Sequence, residues 1–169
     1  MKHFSQSYPL HLKNVGVLLN DSIQQEEIGL QISKILIANG IQDHLLDWDS
    51  DAIDPLDMLI TVGGDGTVLY ALSHFSYCPV LAINFGNVGF LTASNREELG
   101  TALGQVLSGQ YVISHRSMIC CEHPNGQLHA VNEIVLKGTT RMLTVDLSIN
   151  QKDIRRIRGD GVIVGTATG

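Results

Sequence analysis

Apolar residues along this chain fall first in unbroken runs and later in short segments. Val15-Gly16-Val17-Leu18-Leu19, Met58-Leu59-Ile60-Thr61 and Val80-Leu81-Ala82-Ile83 are continuous, as expected of strands buried on both faces of a parallel sheet. After the first run, Ile28, Ile32, Ile35 and Leu36 recur at helical spacing, with Ser22 and Gln25 as a capping box and Gly40 as the stop, despite the weakening Gly29. Leu45-Leu46 follows. A short helix is expected through Leu69 and Leu72 to about His74, and another from Ser94, boxed with Glu97, through Leu99, Leu103 and Val106 to Gly109. Alternating strand and helix predicts an α/β unit with a parallel sheet, whose ligands gather at the carboxyl ends of the strands.

Past residue 110 the pattern changes. Tyr111-Val112-Ile113, Ser117-Met118-Ile119-Cys120-Cys121, Leu128-His129-Ala130-Val131, Glu133-Ile134-Val135-Leu136, the run from Leu143 to Ile149, and Gly161-Val162-Ile163-Val164 read as short strands. Turns such as Asn125-Gly126 and Asn150-Gln151 separate them, which is antiparallel territory. The fold class is therefore α/β with a parallel sheet, followed by the start of an all-β antiparallel domain. The expected domains are 1–110 and 111–169, and no internal repeat, low-complexity tract or long linker interrupts them.

Candidate chemistry sits where the run Met58–Thr61 ends. Val62-Gly63-Gly64-Asp65-Gly66-Thr67-Val68-Leu69 places three glycines and one carboxylate at the turn from a buried strand into a helix. Glycines there let amide groups approach an anion without a Cβ in the way, and the following helix adds unpaired N–H groups and its positive dipole end. A carboxylate would repel phosphate, so Asp65 suits chemistry: accepting a proton from an attacking hydroxyl, or holding a metal ion between phosphates. The plain alternative is a Gly/Asp turn closing a strand. Other phosphate motifs fit worse, since no lysine follows in P-loop spacing and Leu69 stands where a dinucleotide fingerprint needs its last glycine.

Composition narrows the partners. The chain has 169 residues, a net charge of −6, a pI near 5.5, 44% hydrophobic and 17% charged residues, enough apolar mass for a core and the wrong field for nucleic acid. Phosphate binding must then rest on backbone amides, metal ions and a few basic side chains. Cys78, Cys120 and Cys121 offer no pairing framework, which suits a reducing cytosol, and the seven histidines show no metal-ligand spacing. No secretory segment or run of membrane-spanning length is read, so the expected compartment is the cytoplasm, with no membrane partner.

Four segments in order resemble the NAD kinase family: Val62–Thr67, Asn84-Phe85-Gly86-Asn87-Val88-Gly89-Phe90-Leu91-Thr92, Asn132-Glu133, and the glycine-rich stretch Gly159–Gly169. Phe85, Gly165 and Ala167 depart from the arginine, serine and proline usual in such enzymes. The resemblance implies phosphoryl transfer to the adenosine-ribose 2′-hydroxyl of NAD, from ATP or polyphosphate, with Mg2+ or another divalent cation accompanying the donor. It makes Asp65 the base, puts the Gly63, Gly64, Gly66 and Thr67 backbone nearest the transferring phosphate, and assigns NAD contacts to Asp65, Gly66, Phe90, Asn132, Glu133, Arg158, Asp160 and Thr168. It also implies a homo-oligomer for the complete β-domain.

Blander readings stand beside these. Asn132-Glu133 alone is a polar strand edge, Arg155, Arg156 and Arg158 suit a solvated strand edge as well as a phosphate, and Trp48 reads as an apolar anchor. A kinase of lipids or other small alcohols, or a silent nucleotide-binding fragment, are the alternative functions. The stop at Gly169 falls inside the last motif, so the chain resembles a fragment of the enzyme, expected to show little turnover by itself.

Overall fold

The structure is a computed structural model describing residues 3–5, 10–20, 23–48, 55–85 and 89–169, with 3–5 and 23–26 as backbone only. Ser22 and the Gln25 side chain of the expected capping box, and Gly86, Asn87 and Val88 of the second glycine segment, lie outside the described residues. The chain divides into two compact units, one up to His115 and the other Arg116–Gly169.

The first unit comprises β1 (His3–Ser5), β2 (Asn14–Leu19), α1 (Ile23–Ala38), β3 (Gln42–Leu46), β4 (Met58–Gly63), α2 (Asp65–His74), β5 (Val80–Asn84), β6 (Ser94–Asn95), α3 (Leu99–Leu107) and β7 (Ile113–His115). Five strands form one parallel sheet in the order β3-β2-β4-β5-β6. The unbroken apolar runs are β2, β4 and β5, and alternation along each strand sends successive side chains into two cores. Val15, Val17, Met58, Ile60, Val62 and Ile83 meet Ile28, Ile32 and Leu36 of α1 and Leu99 and Leu103 of α3 on one face. On the other face Leu18, Leu46 and Leu59 pack against Ala71 and Phe75 of α2. The unit is thus a helix–sheet–helix sandwich, with buried Gly29 letting α1 approach Leu19, whose Cδ1 would stand 2.9 Å from a Cβ at that position.

Helix ends follow local chemistry. Gly40, at φ +73°, ends α1 in the left-handed conformation that other residues resist. The expected start of the third helix at Ser94 is corrected: Ser94 and Asn95 form β6, the Ser94 hydroxyl donates to the Asn95 carbonyl, and α3 begins at Leu99 with Glu98 as its N-cap. The Asn95 side chain accepts from the Glu98 N–H three residues on at 3.0 Å, so a side-chain bond of N-cap type takes the place of the Ser94–Glu97 box. The strand expected from Tyr111 starts at Ile113 as β7, whose antiparallel pairing with β1 ties residues 113–115 to the first unit.

The second unit comprises three antiparallel pairs: β8 (Ile119–His123) with β9 (Gly126–Ala130), β10 (Glu133–Lys137) with β13 (Gly161–Gly165), and β11 (Leu143–Ile149) with β12 (Lys152–Gly159). Asn150 and Gln151, at φ 51° and 64°, make the two-residue turn between β11 and β12. Val135, Leu136, Ile154, Ile163 and Val164 are exposed. Among the described residues no helix is long and apolar enough to cross a membrane.

Candidate functional site

In the order β3-β2-β4-β5-β6 the connections out of β2 and out of β4 run to opposite sides, so a crevice opens beyond the carboxyl ends of those two neighbouring strands. Gly63 closes β4 at that edge, and Gly64 is the N-cap of α2 with an extended backbone and no side-chain cap. The first amides of α2 therefore face outward without intrahelical acceptors, until Thr67 N–H bonds the Gly64 carbonyl at 3.0 Å. Thr67 is buried, while Gly64 and Gly66 are exposed.

The loop glycines are not equivalent. A Cβ on Gly63 would lie 2.3 Å from Thr67 Oγ1, so the fold itself requires that glycine. A Cβ on Gly64 or Gly66 would meet nothing within 4 Å.

Asp65, the first residue of α2, reaches across to the loop that follows β5. Its Oδ2 accepts the Phe90 N–H at 2.9 Å and its Oδ1 the Leu91 N–H at 3.1 Å. A Cβ on Gly89 would stand 2.2 Å from Asp65 Oδ1. Phe90, whose N–H meets this carboxylate, is 94% exposed. The structure thus joins Asp65, Gly63, Gly64, Gly66, Thr67 and Phe90 at one edge of the first unit. Sequence reasoning passed over Gly89 and the Leu91 amide; the signal was a second glycine at a strand's carboxyl end.

Arg96, just after β6, holds its guanidinium 5.5 Å from the Phe85 ring centroid and 3.7 Å from the Glu27 carboxylate. Trp48 is a tethered residue: its Nε1–H donates to the Leu19 carbonyl at 3.0 Å and its ring packs 4.5 Å from Tyr70.

In the second unit Asn132, Glu133 and Thr168 gather at one end of the β10–β13 pair. The Thr166 N–H donates to the Asn132 carbonyl at 2.8 Å, Glu133 is opposite Gly165, and the Thr168 N–H donates to Thr166 Oγ1 at 3.0 Å. Asn132 Oδ1 is buried with no hydrogen-bond partner among the described residues. Asp160 precedes Gly161, the residue opposite Lys137 at the far end of the same ladder, about 13 Å away at ordinary strand rise. Arg158 is opposite Thr144 on β11, and the Arg156 guanidinium donates to both Asp146 oxygens, holding that carboxyl below its usual range. Arg155, Arg156 and Arg158 are all exposed on β12.

Fold and site together define a doubly wound α/β unit with a glycine loop and an anchored carboxylate at its switch point, followed by a β unit. Residues 14–111 match the family described as ATP-NAD kinase N-terminal domain, and the chain belongs to the NAD kinase family. It is 29% identical to the NAD kinase of Methanothermobacter thermautotrophicus, with 94% of this chain and 62% of that protein covered, and 32% identical to that of Clostridium perfringens, with 94% and 63% covered. Among solved structures, an NAD kinase from Archaeoglobus fulgidus in complex with ATP superposes with a TM-score of 0.71 at 28% identity, over 90% of this chain and 60% of that one. Yeast NADH kinase complexed with NADH shares the fold, with a TM-score of 0.78 at 24% identity, over 94% and 58%. The chain thus spans about three-fifths of the length of these relatives.

Proposed function

We propose that the chain carries the phosphoryl-transfer site of an NAD kinase, moving a phosphoryl group from ATP or polyphosphate to the adenosine-ribose 2′-hydroxyl of NAD and so forming NADP. The observation that carries this reading is Asp65, a carboxylate with each oxygen held by one amide, in a loop whose Gly64 and Gly66 stand open to solvent. With ATP as donor, the ribose oxygen forms a bond to the γ-phosphorus, the bond to the bridging oxygen of ADP breaks, and the hydroxyl proton passes to Asp65. Alignment and charge neutralisation dominate such a reaction, so a positioned carboxylate and outward-facing amides are the chain's own contribution.

The backbone of Gly63, Gly64, Gly66 and Thr67 lies nearest the transferring phosphate in this reading. Asp65, Gly66, Phe90, Asn132, Glu133, Arg158, Asp160 and Thr168 are the residues assigned to NAD, with 1–110 the expected nucleotide-binding domain that carries the glycine loop and 111–169 part of an NAD-binding β-domain. Among the described residues no three His, Cys, Asp or Glu side chains form a metal-holding group. Asp65, the carboxylate of the loop, would be the residue to hold a magnesium ion brought by the donor. When bound, that ion neutralises donor charge. The physiological setting is NADP supply in the cytoplasm by a homo-oligomer, with neither nucleic acid nor membrane as partner.

The test is NADP formation from NAD, ATP and magnesium, confirmed by mass, with wild type and Asp65→Asn side by side in a version of the protein whose wild type turns over. The nearly isosteric variant should fold and lose roughly 100-fold or more in turnover, as loss of an acid–base group does. Equal turnover would remove Asp65 from the mechanism. Phosphorylation of lipid or other small alcohols in preference to NAD would replace the acceptor, and NAD binding without turnover would mark a silent nucleotide-binding protein.

A further inference from the structure

We infer that the loop after β5 is a clamp for the Asp65 carboxylate, and that Gly89 is a positioning residue for the reaction, required because its missing side chain makes room for that carboxylate. The inference rests on the assignment of Asp65 as the base.

Successive amides, Phe90 N–H and Leu91 N–H, each take a different oxygen of Asp65. An aspartate's terminal torsion is ordinarily broad, and one donor per oxygen removes that freedom. Each carboxylate oxygen has two lone-pair directions, so the clamp occupies one on each and leaves the second open to a hydroxyl. The group is thereby oriented without being used up.

Gly89 makes this geometry accessible. Any Cβ there would stand 2.2 Å from Oδ1 and 2.9 Å from Cγ of Asp65, so a side chain must drive the carboxylate off its amides or the amides off the carboxylate. The crowded neighbour is the reacting group itself and not a hydrophobic residue of the core. The two glycine segments, apart in sequence, are then parts of one device: the loop after β4 supplies the carboxylate, and the loop after β5 sets its direction. A misdirected base costs rate even when substrate is bound, because reactive alignment tolerates little displacement.

Amide hydrogen exchange followed by NMR on the full labelled chain tests the clamp. Phe90 is exposed, so slow exchange of its N–H reports the bond to Asp65 and not burial. In wild type both the Phe90 and Leu91 amides should exchange slowly. Asp65→Asn keeps the shape but one acceptor oxygen, and should speed one of the two by about tenfold or more. Gly89→Ala should release both, whereas Gly100→Ala, on α3 where a Cβ meets nothing within 4 Å, should release neither. In phosphoryl transfer Gly89→Ala should lower kcat by about tenfold or more with little change in the KM for NAD, the split expected of lost positioning. Fast exchange of both amides in wild type, or slow exchange in Gly89→Ala, overturns the clamp; release of both with an unchanged kcat overturns the positioning role. If Gly89→Ala fails to fold, the Asp65→Asn exchange pattern decides by itself. Undiminished turnover in Asp65→Asn would instead overturn the assignment of the base and leave the exchange result standing.

Discussion

Gly66→Ala should raise the stability of the protein while weakening its hold on ATP. Gly66 is the second residue of α2, exposed, with nothing within 4 Å of the place its Cβ would take. Replacing a helical glycine by alanine without strain reduces the freedom of the unfolded chain, and contributes about 0.4–1 kcal/mol in a helix interior and less in a first turn. For a unit of this size that is a rise of roughly 2–4 °C in the unfolding midpoint. In the proposed reading, the same methyl would stand where a phosphate meets the first amides of the helix. Displacing one hydrogen bond between an amide and a charged oxygen costs about 1.5–3 kcal/mol, or roughly a 10- to 150-fold rise in Kd. Thermal denaturation followed by circular dichroism and calorimetric titration with magnesium and ATP measure the two effects on one preparation. Gly63→Ala is the contrast: its Cβ would collide with Thr67 at 2.3 Å, so stability and binding should fall together. A lower midpoint for Gly66→Ala, or an unchanged ATP affinity, would refute the assignment of that glycine to a ligand.

Three further expectations concern groups away from the loop. Asp57 accepts the Lys13 and Asn14 N–H groups at 2.7 and 2.8 Å, and these donors, Asn14 first, hold its carboxyl below the usual range. A lowered folded-state value contributes stability that is present above the unfolded value and lost as pH falls through the folded one, so Asp57→Asn should cost about 1 kcal/mol at neutral pH, screening by solvent included, and progressively less in acid; urea melts showing the same deficit at both ends would contradict this. Burial foremost, and then the charge of Asp57, push the Cys78 thiol up to about 11, so Ellman's reagent at mildly alkaline pH should modify exposed Cys120 and leave Cys78 untouched until the protein unfolds. Thr61 Oγ1 is buried with no hydrogen-bond partner, and Thr61→Val, which keeps the shape, should raise stability by about 1 kcal/mol; a loss would reveal a buried water that the hydroxyl binds.

The parallel sheet could be read from the chain because strands buried on both faces carry a long, redundant signal, and Val15 to Leu19 or Met58 to Val62 can be little else. Ser94 misled because a capping box and a lone side-chain bond of N-cap type use the same few polar residue types, and only the pairing of Ser94 and Asn95 with the end of β5 shows that the segment is still sheet. β1 is three residues long and owes its existence to β7, a pairing across more than a hundred residues that no local pattern records. In the candidate site, residue types drew attention to the glycine loop and to Asp65 within it. They could not disclose what Asp65 touches. Gly89 and Gly66 look alike in sequence, yet one is bare for a carboxylate of the same chain and the other has open space before it.

That difference bears on how an acidic protein can hold a polyanion. The described Lys and Arg residues of the first unit are Lys13 before β2, Lys34 within α1 and Arg96 after β6, and of these Arg96 alone follows the carboxyl end of a sheet strand. Its guanidinium is shared between the Phe85 ring and the Glu27 carboxylate, which leaves it poorly placed to neutralise a triphosphate without giving up both. Attraction at long range is also unfavourable at a net charge of −6. In the proposed reading, what the described residues of the first unit offer an anion is short-ranged: backbone dipoles at the start of α2, effective only at contact, together with whatever cation the donor itself carries. In the proposed reading Gly64 and Gly66 permit contact without side chains in the way, and the Phe90 and Leu91 amides would let Asp65 sit among phosphates without a lysine to hold it there. Affinity in such a site depends on backbone geometry within a few ångströms, so single methyl groups added to these loops should matter more than charges altered elsewhere on the surface.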